Sequence, residues 1–113
     1  DYLSVEDNLY LHGINSAKTS TKSILKELNL LNKIDILVGN LSYGQKKKLA
    51  LVRVLLNQSK VIVLDEPCVG LDDKTRAYIV DFLNSELSKN KSVIYTSHIP
   101  IEIKSKKINI DKE

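Results

Sequence analysis

Val61-Ile62-Val63-Leu64-Asp65-Glu66-Pro67 is the stretch on which the fold turns. Its first four residues are branched and apolar, with no polar alternation, which suits a strand covered on both faces, as in a parallel sheet between helices. The strand then ends in two adjacent carboxylates. In open α/β sheets, ligands sit at the carboxyl ends of the strands, so Asp65 and Glu66 emerge where chemistry is expected.

Downstream, Cys68-Val69-Gly70-Leu71 reads as a loop and Asp72 or Asp73 as the N-cap of a helix. That helix carries Arg76, Ile79, Val80, Leu83 and Leu87 on one face, with Asp81, Asn84 and Ser88 opposite, and Asn90 closes it. Ser92-Val93-Ile94-Tyr95-Thr96 is a second buried strand that delivers Ser97-His98 at its end. A strand–helix–strand order of this kind implies parallel strands and a right-handed crossover. Lys107 to Ile110 has the composition of a last short strand.

Upstream, Asn40-Leu41-Ser42-Tyr43-Gly44-Gln45 runs into Lys46-Lys47-Lys48 and a helix of leucines and valines reaching about Asn57. Ser42 and Gln45 have the S-x-x-Q spacing of a capping box. The run from Leu49 to Leu56, interrupted only by Arg53, is too apolar for a one-sided surface helix, so most of its circumference should be covered. The start of a helix offers unpaired N–H groups and partial positive charge, and Gly44 permits close approach. Taken by itself, the turn reads either as a plain capped helix or as a seat for a phosphate oxygen.

The first forty residues are helical in pattern and contain no catalytic cluster. Ser4 opens a short helix with Val5, Leu9, Leu11 and Ile14 at near-helical spacing, ending near Gly13. Ser20 or Thr21 is expected to cap a second, with Ile24, Leu25, Leu28 and Leu31 as its stripe and a break at Asn29 to Asn32. Ile34, Ile36 and Leu37 are expected to dock the segment that follows. Two regions result: a helical one over residues 1–57 and a β-α-β one over 58–113.

The 113 residues amount to about one small domain, with ordinary apolar (42%) and charged (27%) content. A formal charge of +3, carried mostly by Lys, gives no sign of a nucleic-acid surface, and Lys46-Lys47-Lys48 reads as a solvated first turn. Cys68 is the only cysteine, which excludes an intrachain disulfide, and no apolar run approaches the roughly 20 residues of a membrane-spanning helix. A start at Asp1 without Met suggests a piece of a longer protein.

Leu41-Ser42-Tyr43-Gly44-Gln45, the Val61 to Pro67 run, Gly70-Leu71-Asp72 and Thr96-Ser97-His98 together, in this order and spacing, resemble the ATP-binding subunit of an ABC transporter. The expected fold is accordingly α/β: part of an ABC-type P-loop NTPase nucleotide-binding domain, a helical subdomain followed by half of the parallel core. The resemblance implies that Asp65 holds Mg²⁺, that Glu66 is the general base for the attacking water, and that His98 bonds the γ-phosphate. It also implies that Asp72 acts across a dimer interface. Ser42, Gly44 and Gln45 would meet the ATP of a second, head-to-tail nucleotide-binding domain.

The family's pattern is not matched everywhere. Tyr43 stands where the signature commonly has Gly or Ala, and no G-x-x-x-x-G-K-[ST] phosphate loop occurs, so the chain alone should not hold ATP tightly. Leu3 to Leu9 is similar to the segment after the family's Q-loop, which makes these residues the C-terminal half of the domain. His98-Ile99-Pro100-Ile101 with few residues after it, like Leu3 to Leu9 followed by a helix, is most similar to the haem-exporter ATPase of cytochrome c maturation. That likeness implies a membrane transporter subunit as partner, no nucleic acid, and a peripheral place on the cytoplasmic face of a bacterial inner membrane or the matrix side of the mitochondrial one. Another transporter's ATPase, a non-transport ABC protein and an inactive half-domain are the alternative readings.

Overall fold

The computed structural model describes residues 2–57 and 59–96 and the backbone of 107–110. The chain divides into two compact units, Asp1–Asn57 and Gln58–Glu113.

The first unit holds α1 (Val5–Leu11), α2 (Thr19–Glu27) and α3 (Tyr43–Leu55), with short 3-10 turns at Leu31–Lys33 and Val38–Asn40. Ser4 caps α1 by accepting from the Asp7 N–H at 3.1 Å. Val5, Leu9, Ile24, Leu25, Leu28, Leu30, Leu49, Val52 and Leu55 are all essentially removed from water. From Lys47 to Leu56 no residue is fully exposed, as the apolar sequence of this helix requires. Arg53, the one interruption, donates from Nη1 to Asn8 Oδ1 at 2.9 Å and ties α3 to α1.

Two local expectations fail in this unit. α2 is not capped by Ser20 or Thr21. It starts after Lys18, with no side-chain cap, because Asn15 makes the turn instead: its Oδ1 accepts from Ala17 N–H at 2.9 Å and its carbonyl from Lys18 N–H at 3.2 Å. Thr21 is thereby carried into the helix interior and buried. Residues 34–37 are tied by their backbone to the start of α1, not by side chains to the segment that follows. Val5 and Glu6 N–H donate to Ile36 and Ile34 carbonyls at 2.9 and 3.0 Å, while Ile36 and Leu37 stay largely exposed.

The second unit is a parallel sheet of β1 (Val61–Asp65), β2 (Ser92–Thr96) and β3 (Lys107–Ile110) in that order, with α4 (Asp73–Leu87) connecting the first two. β1 pairs β2 from Val61↔Ser92 to Asp65↔Thr96, and β2 pairs β3 from Val93↔Lys107 to Thr96↔Ile110. Ile62, Leu64, Ile79, Leu83, Val93 and Tyr95 form the core, with α4 packed on β2.

β1 is covered on one face only, contrary to its sequence pattern. Ile62 and Leu64 are buried, whereas Val61 and Val63 are 46% and 63% exposed. One connecting helix can cover one face of a sheet, and among the described residues nothing covers the other. The buried stripe of α4 is also turned from the expected one, running Thr75, Ile79, Leu83, Glu86, with Val80 and Leu87 half-buried. Asn90, in the left-handed region at φ 65°, ends the connection as its sequence suggests.

Candidate functional site

The register of the parallel sheet brings Asp65 beside Thr96, the last residues of their strands. Thr96 Oγ1 donates to Asp65 Oδ1 at 2.5 Å, and Glu66 N–H donates to the Thr96 carbonyl at 2.9 Å, extending the ladder one residue beyond the strand. Glu66 itself lies in the left-handed region at φ 49°. For a residue with a Cβ this conformation costs about 1–2 kcal/mol and is kept where surroundings impose it.

The left-handed step turns the chain sharply out of the sheet. Val69 N–H returns to the Glu66 carbonyl and Leu71 N–H to the Cys68 carbonyl, both at 3.3 Å, while Gly70 at φ 79° supplies the second reversal. Pro67 and Cys68 are buried beneath, Asp65 is exposed and Glu66 half-buried. The result is two neighbouring carboxylates held at the rim of the sheet by backbone bonds.

Asp72, not Asp73, caps α4: its Oδ1 accepts from Thr75 N–H at 2.7 Å. Asp73 occupies the first turn, where negative charge is favoured by the helix dipole.

In the other unit, Ser42 and Gln45 form the full capping box. Gln45 N–H donates to Ser42 Oγ at 3.1 Å and Ser42 N–H to Gln45 Oε1 at 2.8 Å. Two of the turn's donors are thus satisfied internally. The N–H groups of Tyr43 and Gly44 have no acceptor among the described residues. The anion-accepting capacity of the turn is therefore confined to two adjacent N–H groups and the Ser42 hydroxyl proton.

Tyr43 is 87% exposed, and a Cβ built on Gly44 would meet nothing within 4 Å. Gly44 has no left-handed backbone and no crowded neighbour, so nothing in its own unit calls for glycine there.

Of the residues singled out in the sequence, Asp65, Glu66 and Asp72 lie in the second unit, at and just beyond the end of β1. Ser42, Gly44 and Gln45 make one turn of the first unit. His98 lies outside the described residues. Thr96 was part of a motif without a role of its own, and the equal lengths of the two strands contain the register that gives it one. The left-handed backbone at Glu66 has no local signal, since Glu has no preference for it.

Mg²⁺ is tested by the donor set. Among the described residues no group of three or more His, Cys, Asp and Glu side chains could cage a metal. A single exposed carboxylate at a strand end suits an ion that keeps its waters and shares itself with phosphates, so Asp65 fits Mg²⁺.

The family model described as ABC transporter matches residues 1–69. The chain is 38% identical over 101 residues to Nod factor export ATP-binding protein I of Burkholderia lata, covering 84% of this chain and 33% of that protein. It is 44% identical over 79 residues to ABC transporter A family member 7 of Dictyostelium discoideum, covering 70% of this chain and 9% of that one. The chain thus spans a third or less of the curated relatives it matches. In structure it resembles the ATP-binding subunit of an ABC transporter with a TM-score of 0.73 at 22% identity, over 86% of this chain and 43% of that one. Neither of the two relatives is named as a haem exporter, and of the residues that suggested haem, 98–101 lie outside those described. The fold is that of an ABC-type P-loop NTPase nucleotide-binding domain, and by the family match over more than half its length the chain belongs to the ABC transporter ATP-binding family.

Proposed function

We propose that these residues are the C-terminal half of an ATP-hydrolysing domain that powers a membrane transporter, with catalysis at the Asp65–Glu66 rim. The observation that carries this reading is the left-handed turn at Glu66. It holds a second carboxylate immediately past a strand-end aspartate, and that aspartate is itself fixed by Thr96.

Asp65 would hold Mg²⁺ through water, leaving to the ion the neutralisation of phosphate charge. Glu66 would accept the proton of the attacking water as its oxygen bonds to the γ-phosphorus and the bond to the bridging oxygen breaks, releasing ADP and phosphate. His98 would bond the γ-phosphate. Asp72 would act across the interface of a head-to-tail pair of nucleotide-binding domains. Ser42, Gly44 and Gln45 would form the turn that meets ATP held by the other domain, through the two open N–H groups and the Ser42 hydroxyl.

The 113 residues contain no phosphate loop, so that element would come from outside them. Export is the favoured direction, since the Burkholderia relative is named for Nod factor export and the haem-exporter likeness points the same way. Haem as cargo rests only on the sequence likeness at residues 98–101 and at Leu3 to Leu9 followed by a helix. No described helix is long and apolar enough to cross a membrane, which is compatible with a peripheral subunit on a membrane-embedded partner at the cytoplasmic face. A mitochondrial location has no counterpart among the named relatives.

The deciding experiment is Glu66→Gln in a protein that carries these residues together with a phosphate loop. Turnover should fall by roughly 100-fold or more with ATP binding retained; turnover near the parental rate removes Glu66 from the role. The 113-residue chain alone should release no phosphate that depends on Glu66.

A further inference from the structure

The reversal at the end of α2 builds a polar groove in the helical unit. Leu30 N–H returns to the Leu25 carbonyl at 2.8 Å and Asn29 N–H to the Lys26 carbonyl at 3.1 Å, the paired bonds of a Schellman closure. Asn29 takes the left-handed step at φ 59°, which Asn tolerates better than most residues. Lys26, Asn29, Asn32 and Lys33 then line an open groove of about 540 Å³, together with Leu31 and Gln45. Among the described residues no carboxylate lines it, and neither Lys26 nor Lys33 has an acidic partner. Gln45 Oε1 accepts from Ser42 N–H at 2.8 Å, which fixes the amide and leaves its Nε2 hydrogens without an acceptor among the described residues. A cation is favoured in the last turn of a helix, which accounts for Lys26. It does not account for Lys33, half-buried and facing the same groove as the side-chain amides.

We propose that this groove binds the phosphate group of a small phosphomonoester. Two ammonium groups balance the charge of about −1.5 to −2 that such a group carries at neutral pH, whereas a carboxylate would leave one lysine unmatched. The amides of Asn29, Asn32 and Gln45 add N–H donors for the remaining oxygens. The volume falls within the range of about 300–1,000 Å³ usual for small-molecule sites, so there is room for the organic part of the ester, with Leu31 as its apolar contact. A soluble ester and a lipid headgroup share this chemistry, and the test separates them. The groove lies within one unit and shares only Gln45 with the turn assigned to ATP, so the proposal can fail while the hydrolysis reading stands.

The test is a titration of the isotope-labelled 113-residue chain with glycerol 3-phosphate at constant ionic strength, read by amide chemical shifts, with glycerol as the uncharged control. The ester should give saturable shifts centred on Asn29, Asn32, Lys33 and the Gln45 side-chain amide, and glycerol none. Lys26→Gln combined with Lys33→Gln should weaken binding at least ~10-fold. Lys22→Gln, in α2 but outside the groove, should leave it unchanged. Asn32→Asp keeps both lysines and the size of the side chain, and should also weaken binding. Thermal melts matching the parent show that these variants fold. Flotation with phosphatidylcholine vesicles, with and without phosphatidic acid, assigns the source: flotation that needs phosphatidic acid and is lost in the double variant identifies a lipid headgroup, and titration without flotation a soluble ester. If the ester gives no saturable shift and phosphatidic acid no flotation, or if the double variant binds like the parent, the proposal is overturned. It is overturned equally if Lys22→Gln costs as much as the double variant, or if the shifts are confined to Tyr43 and Gly44, which would put the anion on the turn assigned to ATP.

Discussion

Thr96 Oγ1 reaches Asp65 Oδ1 at 2.5 Å because parallel register sets the two residues side by side at the last step of their strands. One oxygen of the strand-end carboxylate is thereby oriented from the neighbouring strand. Thr96→Val keeps the shape and removes the bond. It should cost about 1 kcal/mol in urea unfolding and raise the Mg²⁺ concentration needed for half-maximal ATPase activity in the phosphate-loop-bearing protein. An unchanged Mg²⁺ requirement would leave Thr96 a structural residue only.

Glu66 combines a backbone that suits glycine with a side chain assigned to proton transfer. Glu66→Gly should relieve the left-handed strain and unfold at higher urea than Glu66→Gln, by about 0.5–1 kcal/mol. Both should be inactive, so stability and turnover would move in opposite directions at this position.

The capping box predicts graded losses at α3. Ser42→Ala should destabilise the helical unit by about 1 kcal/mol, and Gln45→Ala, which frees only the Ser42 N–H, by less. Because Ser42 is exposed, both should fold, and denaturant midpoints would order them.

Glu86 gives the second unit a pH dependence. Burial pushes its carboxyl up, but hydrogen bonds from Lys91 Nζ at 2.6 Å and Lys89 Nζ at 3.1 Å, with their charges, outweigh burial and hold it below the ordinary value of 4.5. A carboxyl that titrates lower when folded than unfolded contributes stability above its unfolded pKa, and that contribution is lost as pH falls through the folded one. Thermal melts should therefore weaken on acidification from about pH 6 to 3, and Glu86→Gln should flatten that slope while lowering stability at neutral pH.

The sequence is most legible where local physics decides. S-x-x-Q is a complete cap whatever surrounds it, and Ser42 and Gln45 make that cap. Four branched residues followed by Asp65-Glu66-Pro67 specify a strand and its exit, and Asn90 ends the following helix on its own preference. What escaped depends on partners distant in the chain or on a choice between neighbours. Thr96 gains its meaning only from register. Glu86 is buried because Lys89 and Lys91 accompany it, where charge alone would place it outside. The N-cap of α2 went to Lys18 because Asn15, a few residues earlier, had already turned the chain. For β1, apolarity on both faces announced cover on both, and one helix provides half of it.

That half-covered strand sets a practical ceiling on the molecule. Val61 and Val63 present branched apolar surface on a strand that, among those described, lies at the sheet's edge, the arrangement that recruits other strands. In purification and concentration, insolubility through these two valines should therefore set in before either unit melts. Polar replacement at Val63, the more open of the pair, is the natural first step toward a tractable sample.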